Sequence, residues 1–243
     1  MKKCIVLMAA LLTATVASIA SAEDKVSGDA YLGTYSKYLF RGLDSSANQY
    51  VVQGGMDLSY KNITLSYWTN VQTRGAGVYK RSDNTETDIT LNYAFAPFEL
   101  VSMNVGNTFY TFDVPGVNDT NELYLKATLN TLLAPTLAVY WDWDESTKNG
   151  LFYTLSVGHT IQAMKNLGVN LGALVSYNME NPSASAAYNN LHNYELSVSA
   201  DYSLTDQIKI SPSYLYSNAF NSVARNAGVN DESVIGIKAA FVF

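Results

Sequence analysis

Apolar and polar side chains alternate along this chain with a period of two, segment after segment, and almost nowhere with the 3.6-residue period of a helix. Residues 63–71 show the pattern most clearly. Ile63, Leu65, Tyr67 and Val71 fall on one side, and Thr64, Ser66, Trp68 and Asn70 on the other. Residues 89–95 and 123–129 repeat it, with Ile89, Leu91, Tyr93 and Phe95 in one set and Leu123, Leu125, Ala127 and Leu129 in the next. Nine further segments share the rhythm, near 29–41, 50–60, 100–112, 136–144, 151–159, 169–178, 194–204, 207–217 and 232–243. Most are about nine to thirteen residues long, the length a tilted strand needs to cross a bilayer. The pattern predicts an all-β protein: a transmembrane antiparallel β-barrel of about 12 strands.

The connections alternate too. Short links at Lys61-Asn62, Ala96-Pro97-Phe98, 131–135 and Thr205-Asp206, with a longer one at 160–168, interleave with Gly/Asn/Asp/Ser-rich links at 42–49, 72–85, 113–121, 145–150, 179–193 and 218–231. Short turns on one side and long loops on the other are the pattern of an outer-membrane barrel whose short side is periplasmic, so the N- and C-termini are expected in the periplasm. Charges test the assignment independently, because a charge facing lipid near the midplane costs several kcal/mol. Asp29, Lys37, Arg41, Asp57, Glu86, Asp88, Glu122, Lys126, Asp142, Asp144, Glu195, Asp201, Lys209 and Lys238 all fall on the polar set. That set is rich in Ser, Thr, Asn and Gly, which argues against an apolar core between two sheets. Aromatics at the predicted strand ends (Tyr38, Phe40, Tyr50, Tyr60, Tyr93, Phe95, Trp141, Trp143, Tyr194 and Tyr202) suit interfacial girdles or cross-strand packing. Pro212 is the misfit, since it removes a ladder donor inside a predicted strand and implies a bulge or a shifted boundary.

The N-terminus reads differently. Lys2 and Lys3 precede an apolar run from Ile5 to Leu12, and small residues follow through Ala20-Ser21-Ala22. This is a signal peptide, 1–22, which leaves the barrel domain as 23–243. Cys4 lies inside the signal, so no disulfide or cysteine ligand is expected in the remainder. Removing Lys2 and Lys3 from the 15 basic residues leaves 13 against 21 acidic ones, a net charge of −8 that disfavours nucleic acid as a partner. Mean hydropathy is −0.01, and no later apolar run is long enough for a membrane helix.

Candidate chemistry is confined to the polar set. The expected pore-lining residues are Lys37, Arg41, Asp57, Trp68, Asp88, Glu122, Lys126, Asp142, Glu195, Asp201, Lys209 and Lys238. Five positive against nine negative charges predict a net −4 lumen, hence a narrow pore with mild cation preference. Arg41 stands at the outer end of the first strand, within reach of carboxylates such as Asp57, as a brace of the wall or as a charge that selects solutes. Inward Tyr31, Tyr35, Trp68, Tyr110, Tyr124 and Tyr140 fill space or offer stacking surfaces. Gly54-Gly55 marks a close approach, bend or bulge. An enzyme needs a base beside a nucleophile, and only His159 and His192 are present, the latter in the 179–193 loop beside Asn190 and Asn193. No cofactor is implied, and two isolated histidines with scattered carboxylates have no metal-ligand spacing.

The run Ser36-Lys37-Tyr38-Leu39-Phe40-Arg41-Gly42-Leu43, followed by Gln53-Gly54-Gly55-Met56-Asp57 and Trp68-Thr69-Asn70-Val71, resembles the TorF-type porin family of proteobacteria. Glu86, Asp88 and Tyr93 also fit, while Asn92 stands where a glycine is expected. The resemblance implies an outer-membrane barrel taken to be a pore, and supplies neither substrate nor catalytic residue. Phe243, ending an amphipathic last strand, looks like the signal read by the barrel-assembly machinery. The expected function is passive diffusion of small hydrophilic solutes across the bacterial outer membrane, in contact with its lipid and lipopolysaccharide. A non-conducting structural or receptor barrel and an outer-membrane hydrolase stand as alternatives.

Overall fold

A computed structural model describes residues 25–182 and 185–243; the signal-peptide segment and Cys4 lie outside the described residues. Twelve strands close into one barrel: β1 (Ser27–Tyr35), β4 (Val51–Tyr60), β5 (Ile63–Gln72), β6 (Asn84–Phe98), β7 (Val101–Phe112), β8 (Thr120–Leu129), β9 (Thr136–Asp142), β10 (Leu151–Met164), β11 (Leu167–Asn181), β12 (Ala186–Ser203), β13 (Ile208–Ala219) and β14 (Glu232–Val242). Each pairs antiparallel with its sequence neighbour, and β1 pairs with β14 to remove the last open edge. The terminal strand makes that closure directly: Phe243 N–H donates to the Gly28 carbonyl at 3.0 Å and Gly28 N–H to the Phe243 carbonyl at 2.9 Å.

The wall is inverted relative to a soluble protein. In β5 Ile63, Leu65 and Tyr67 are exposed while Thr64, Trp68 and Asn70 are buried, and in β14 Ile235, Ile237 and Phe241 are exposed while Val234 and Lys238 are buried. A period-two strand has one face for each medium, so an apolar exterior needs hydrocarbon and a polar interior needs water or partners. Tyr31 lies opposite Gly55, and a Cβ on Gly55 would stand 2.5 Å from both the Tyr31 hydroxyl and the Tyr67 carbonyl oxygen. The glycine expected to mark a close approach is thus the floor under a cross-strand tyrosine.

Several expectations need correction. The first strand ends at Tyr35 rather than at residue 41, and residues 36–49 turn into the lumen. There they form a hairpin of β2 (Leu39–Phe40) and β3 (Leu43–Asp44), with Leu39 opposite Asp44 and Phe40 opposite Leu43. The two-residue turn is Arg41-Gly42, with φ of 50° and 77°; positive φ at both positions is the primed turn that a tight hairpin requires. Tyr38 and Phe40 are therefore inside the barrel, not in a girdle. Tyr38 and Leu39 pack with Tyr35, Val51, Trp68, Leu215 and Val234 into a small apolar cluster, against the expectation of an interior without one. The 179–193 link is strand for most of its length, because β12 begins at Ala186. Asp144 lies beyond β9, exposed in the 143–150 link, with its carboxylate accepting from Asn121 at 2.9 Å. Pro212 makes neither bulge nor boundary: Ser199 faces Ser213 and Tyr202 faces Ile210 in one continuous register, with Pro212 opposite Ile237 on the other side.

Candidate functional site: the barrel lumen

The hairpin places Arg41 across the lumen from the strand that holds its partner. Its guanidinium forms a two-pronged fork with Glu122 of β8, at 2.8 Å and 2.6 Å, and the Glu122 side chain is completely buried. A planar guanidinium matches both carboxylate oxygens at once. Glu122 also accepts from the Tyr110 hydroxyl at 3.0 Å and from the Asn181 amide at 3.3 Å. Phe40, Tyr140 and Phe152 surround the guanidinium carbon, with ring centroids at 4.8, 5.2 and 4.4 Å. Arg41 is a left-handed non-glycine residue, a conformation that costs on the order of 1 kcal/mol. The fork and the three rings over-determine that conformation.

The anticipated partner of Arg41, Asp57, does not make this fork. Asp57 lies opposite Asp29 on the β1–β4 wall, both buried, at the other end of the lumen. Nothing in local spacing joins Arg41 to Glu122, which lies 81 residues away in sequence.

His192 was expected in a loop and is instead buried on β12. Its Nε2 lies 2.7 Å from the Arg41 carbonyl oxygen and its Nδ1 2.5 Å from the Tyr188 hydroxyl. A carbonyl only accepts, so Nε2 carries the proton and Nδ1 accepts from Tyr188. Two register shifts in the β11–β12 ladder, between Val175 and Tyr177 and between Met179 and Asn181, accompany this placement. Bulges of this kind re-aim side chains: they bring Asn181 to Glu122 and His192 to the hairpin turn. Behind the turn, a loop containing the short helix α1 (Ser222–Asn226) sets Val229 so that a Cβ on Gly42 would meet its Cγ1 at 3.1 Å and the Asn193 amide nitrogen at 3.0 Å.

The remaining candidates have different settings. Lys37 pairs with Glu232 at 2.5 Å, Trp68 packs at 5.3 Å against Tyr38 with the rings tilted by 54°, and the Tyr38 hydroxyl donates to Glu86 at 3.1 Å. All of these hold the hairpin. Asp142 is a turn builder: one oxygen accepts from Thr120 at 2.9 Å and from the Glu145 amide at 3.0 Å. Glu195 accepts from Asn193 at 2.9 Å, and Asp201 from Ser211 at 2.6 Å and Asn170 at 3.0 Å. Lys126 lies 4.7 Å from the Tyr124 ring and Lys238 5.2 Å from the Tyr31 ring. Lys209 is half-buried near the start of β13, and Asp88 is buried on β6 with Oδ1 unpartnered. Among the described residues no cluster of His, Cys, Asp and Glu has the arrangement of a metal site.

The geometry defines a class: a closed twelve-stranded antiparallel barrel of the outer-membrane porin fold, with an inward hairpin at one end. The NanC porin superposes with a TM-score of 0.56 at 12% identity, covering 88% of this chain and 98% of that one. The COG4313 outer membrane channel from Pseudomonas putida F1 gives 0.55 at 11%, covering 94% and 99%. The outer membrane phospholipase A from Escherichia coli gives 0.50 at 13%, covering 96% and 98%. Identities this low establish the fold alone, and a fold shared by pores and an enzyme does not choose between them. The chain belongs to the Gcw_chp family, described as a bacterial protein of unknown function, whose model matches residues 19–240. No curated protein matches the sequence.

Proposed function

We propose that the protein is an outer-membrane channel for passive diffusion of small hydrophilic solutes, narrowed at its long-loop end by the 36–49 hairpin. The observation that carries this is the inverted wall: apolar side chains outside, and Ser, Thr, Asn, Asp, Glu and Lys side chains along the inside. Twelve strands lie between the eight that only side chains fill and the sixteen that leave an open channel, so a narrow path is what the strand number supports. The likeness to channel structures and the TorF-type resemblance point the same way. In this reading the termini and short turns face the periplasm, and a signal peptide directs export. Phe243 serves the barrel-assembly machinery, and the exterior contacts lipid and lipopolysaccharide.

Ion preference follows from the inner charges. Lys37, Arg41, Lys126, Lys209 and Lys238 stand against Asp29, Asp57, Glu86, Asp88, Glu122, Asp142, Glu195, Asp201 and Glu232, with Glu232 replacing the loop residue Asp144. A net −4 favours cations mildly. Reversal potentials across planar bilayers in a KCl gradient test this, and clear anion selectivity overturns it.

The packed hairpin favours one second reading, a barrel that does not conduct. Absence of single-channel steps from correctly refolded protein selects it. Hydrolysis has less support. His192 is the one buried histidine, and although Ser185 Oγ lies 3.4 Å from its Nε2, that nitrogen donates to the Arg41 carbonyl and has no lone pair to take a serine proton.

A further inference from the structure

Above the hairpin, at the long-loop mouth, lies a cavity of about 170 Å³. Its wall is largely apolar: Phe40 and Leu43 of the hairpin, Tyr79 from the 73–83 loop, Phe112 at the end of β7 and Val117 from the β7–β8 connection line it, with the hydroxyls of Ser45, Thr85 and Ser185 among them. Glu86 is the one carboxylate-bearing residue among the described lining residues. We propose that this cavity is a binding site for small organic cations that carry an apolar body and a protonated amine. The proposal rests on the channel reading above and names the solute class that the mouth would capture.

Charge complementarity commits the site to a cation. Glu86 and Asp88 stand two residues apart on the inner face of β6, both buried, and neither has an ion-pair partner within 4.0 Å among the described residues. The nearest strong cation, Arg41, is bound by Glu122 through both prongs. Tyr38 donates to Glu86 at 3.1 Å and Asp88 shares a hydrogen bond with it, which leaves open part of the roughly four lone-pair sites that an ionised carboxylate offers. Asp88 Oδ1 is buried with no partner at all. An ammonium group placed at Glu86 would supply the missing positive charge in surroundings of reduced dielectric, where a charge-assisted bond is strongest. Meanwhile the aromatic and aliphatic wall would take an apolar ring. The volume sets the size: it is below the roughly 300 Å³ at which drug-sized pockets begin, so one ring and a short amine arm is the fit.

Titration calorimetry on the refolded full chain in detergent micelles tests this with 2-phenylethylammonium and phenylacetate, two ions of similar body and opposite charge. The expected result is that the ammonium binds more tightly by about tenfold or more, the size of one charge-assisted hydrogen bond. Glu86→Gln should remove that preference. Val117→Trp, on an exposed loop outside the barrel wall, should abolish binding by filling the cavity while far-UV strand content is retained. Equal affinity for the two ions, no binding of the ammonium, or ammonium binding unchanged in both variants overturns the proposal. Conductance is measured separately: binding without conductance rejects the pore and keeps the site, and conductance without binding does the reverse.

Discussion

At the long-loop end of the lumen ion pairs lock the inner side chains to an inserted hairpin, whereas toward the short-turn end, built by the same strands, hydrogen bonds but no ion pairs join them among the described residues. Asn70, Gln72, Glu122, Phe152 and His192 are all essentially inaccessible, and the pairs Lys37–Glu232 and Arg41–Glu122 tie the hairpin to the wall. Toward the other end Lys126, Thr128, Ser199, Asp201 and Lys209 are half-buried while Asp29, Asp57 and Lys238 are buried, and among the described residues Lys126, Lys209 and Lys238 have no carboxylate within 4.0 Å. Half-buried charges without an ion-pair partner, such as Lys126 and Lys209, are tolerable only in contact with water, because an unpaired ion in a dry interior is prohibitively costly. The difference teaches that alternation decides which side chains point inward, while one fourteen-residue excursion, 36–49, supplies both cations that find an ion-pair partner among the described residues.

The comparison breaks most completely if the excursion is removed. Replacing residues 36–49 by a short Gly/Ser link should raise single-channel conductance several-fold and make the two ends alike; an unchanged conductance would show that the hairpin does not set the narrowest point. Next in size is Glu122→Gln, which leaves the Arg41 charge buried without its counter-ion. A broken buried pair costs about 3–5 kcal/mol, to be read from urea unfolding of the refolded barrel, with Asp201→Asn at the other end expected to cost far less. Ile237→Arg probes the exterior at the middle of β14, where Ile237 is 48% exposed. Its expected penalty is about 2–4 kcal/mol in lipid vesicles, and a negligible penalty would contradict membrane immersion of that face. The smallest effect is expected from Asp29→Asn, whose carboxylate oxygens are buried without hydrogen-bond partners. Removing one of the inner negative charges should move the reversal potential a few millivolts toward anions with stability nearly unchanged.

Much of the wall was legible because lipid and lumen impose opposite demands on successive residues. β5 is anticipated as 63–71 and found as Ile63–Gln72, and β7 as 100–112 and found as Val101–Phe112. The hairpin escaped because Tyr38 and Phe40 continue the alternation of β1, so that a reversal of direction looked like two more residues of strand. The one local signal was Arg41-Gly42, and it is weak, since arginine seldom occupies the first position of a primed turn where asparagine or aspartate is usual. His192 was misplaced for a related reason. The Gly/Asn/Asp/Ser-rich composition of 179–193 reads as loop, yet Asn178 and Asn193 satisfy strand and bulge contacts there, Asn178 with the Ala186 and Tyr188 carbonyls and Asn193 with Ser176, Glu195 and Ser217.

By itself, then, the sequence determined the strands, their number, and which face of each meets an apolar medium, because a period of two is a local property that each segment carries alone. Tertiary structure decided what the inner faces do with their charges. Arg41 meets Glu122 and His192 only because the closed barrel brings β8, β12 and an inward turn to one point, and contacts between residues 81 and 151 positions apart leave no mark in any local window.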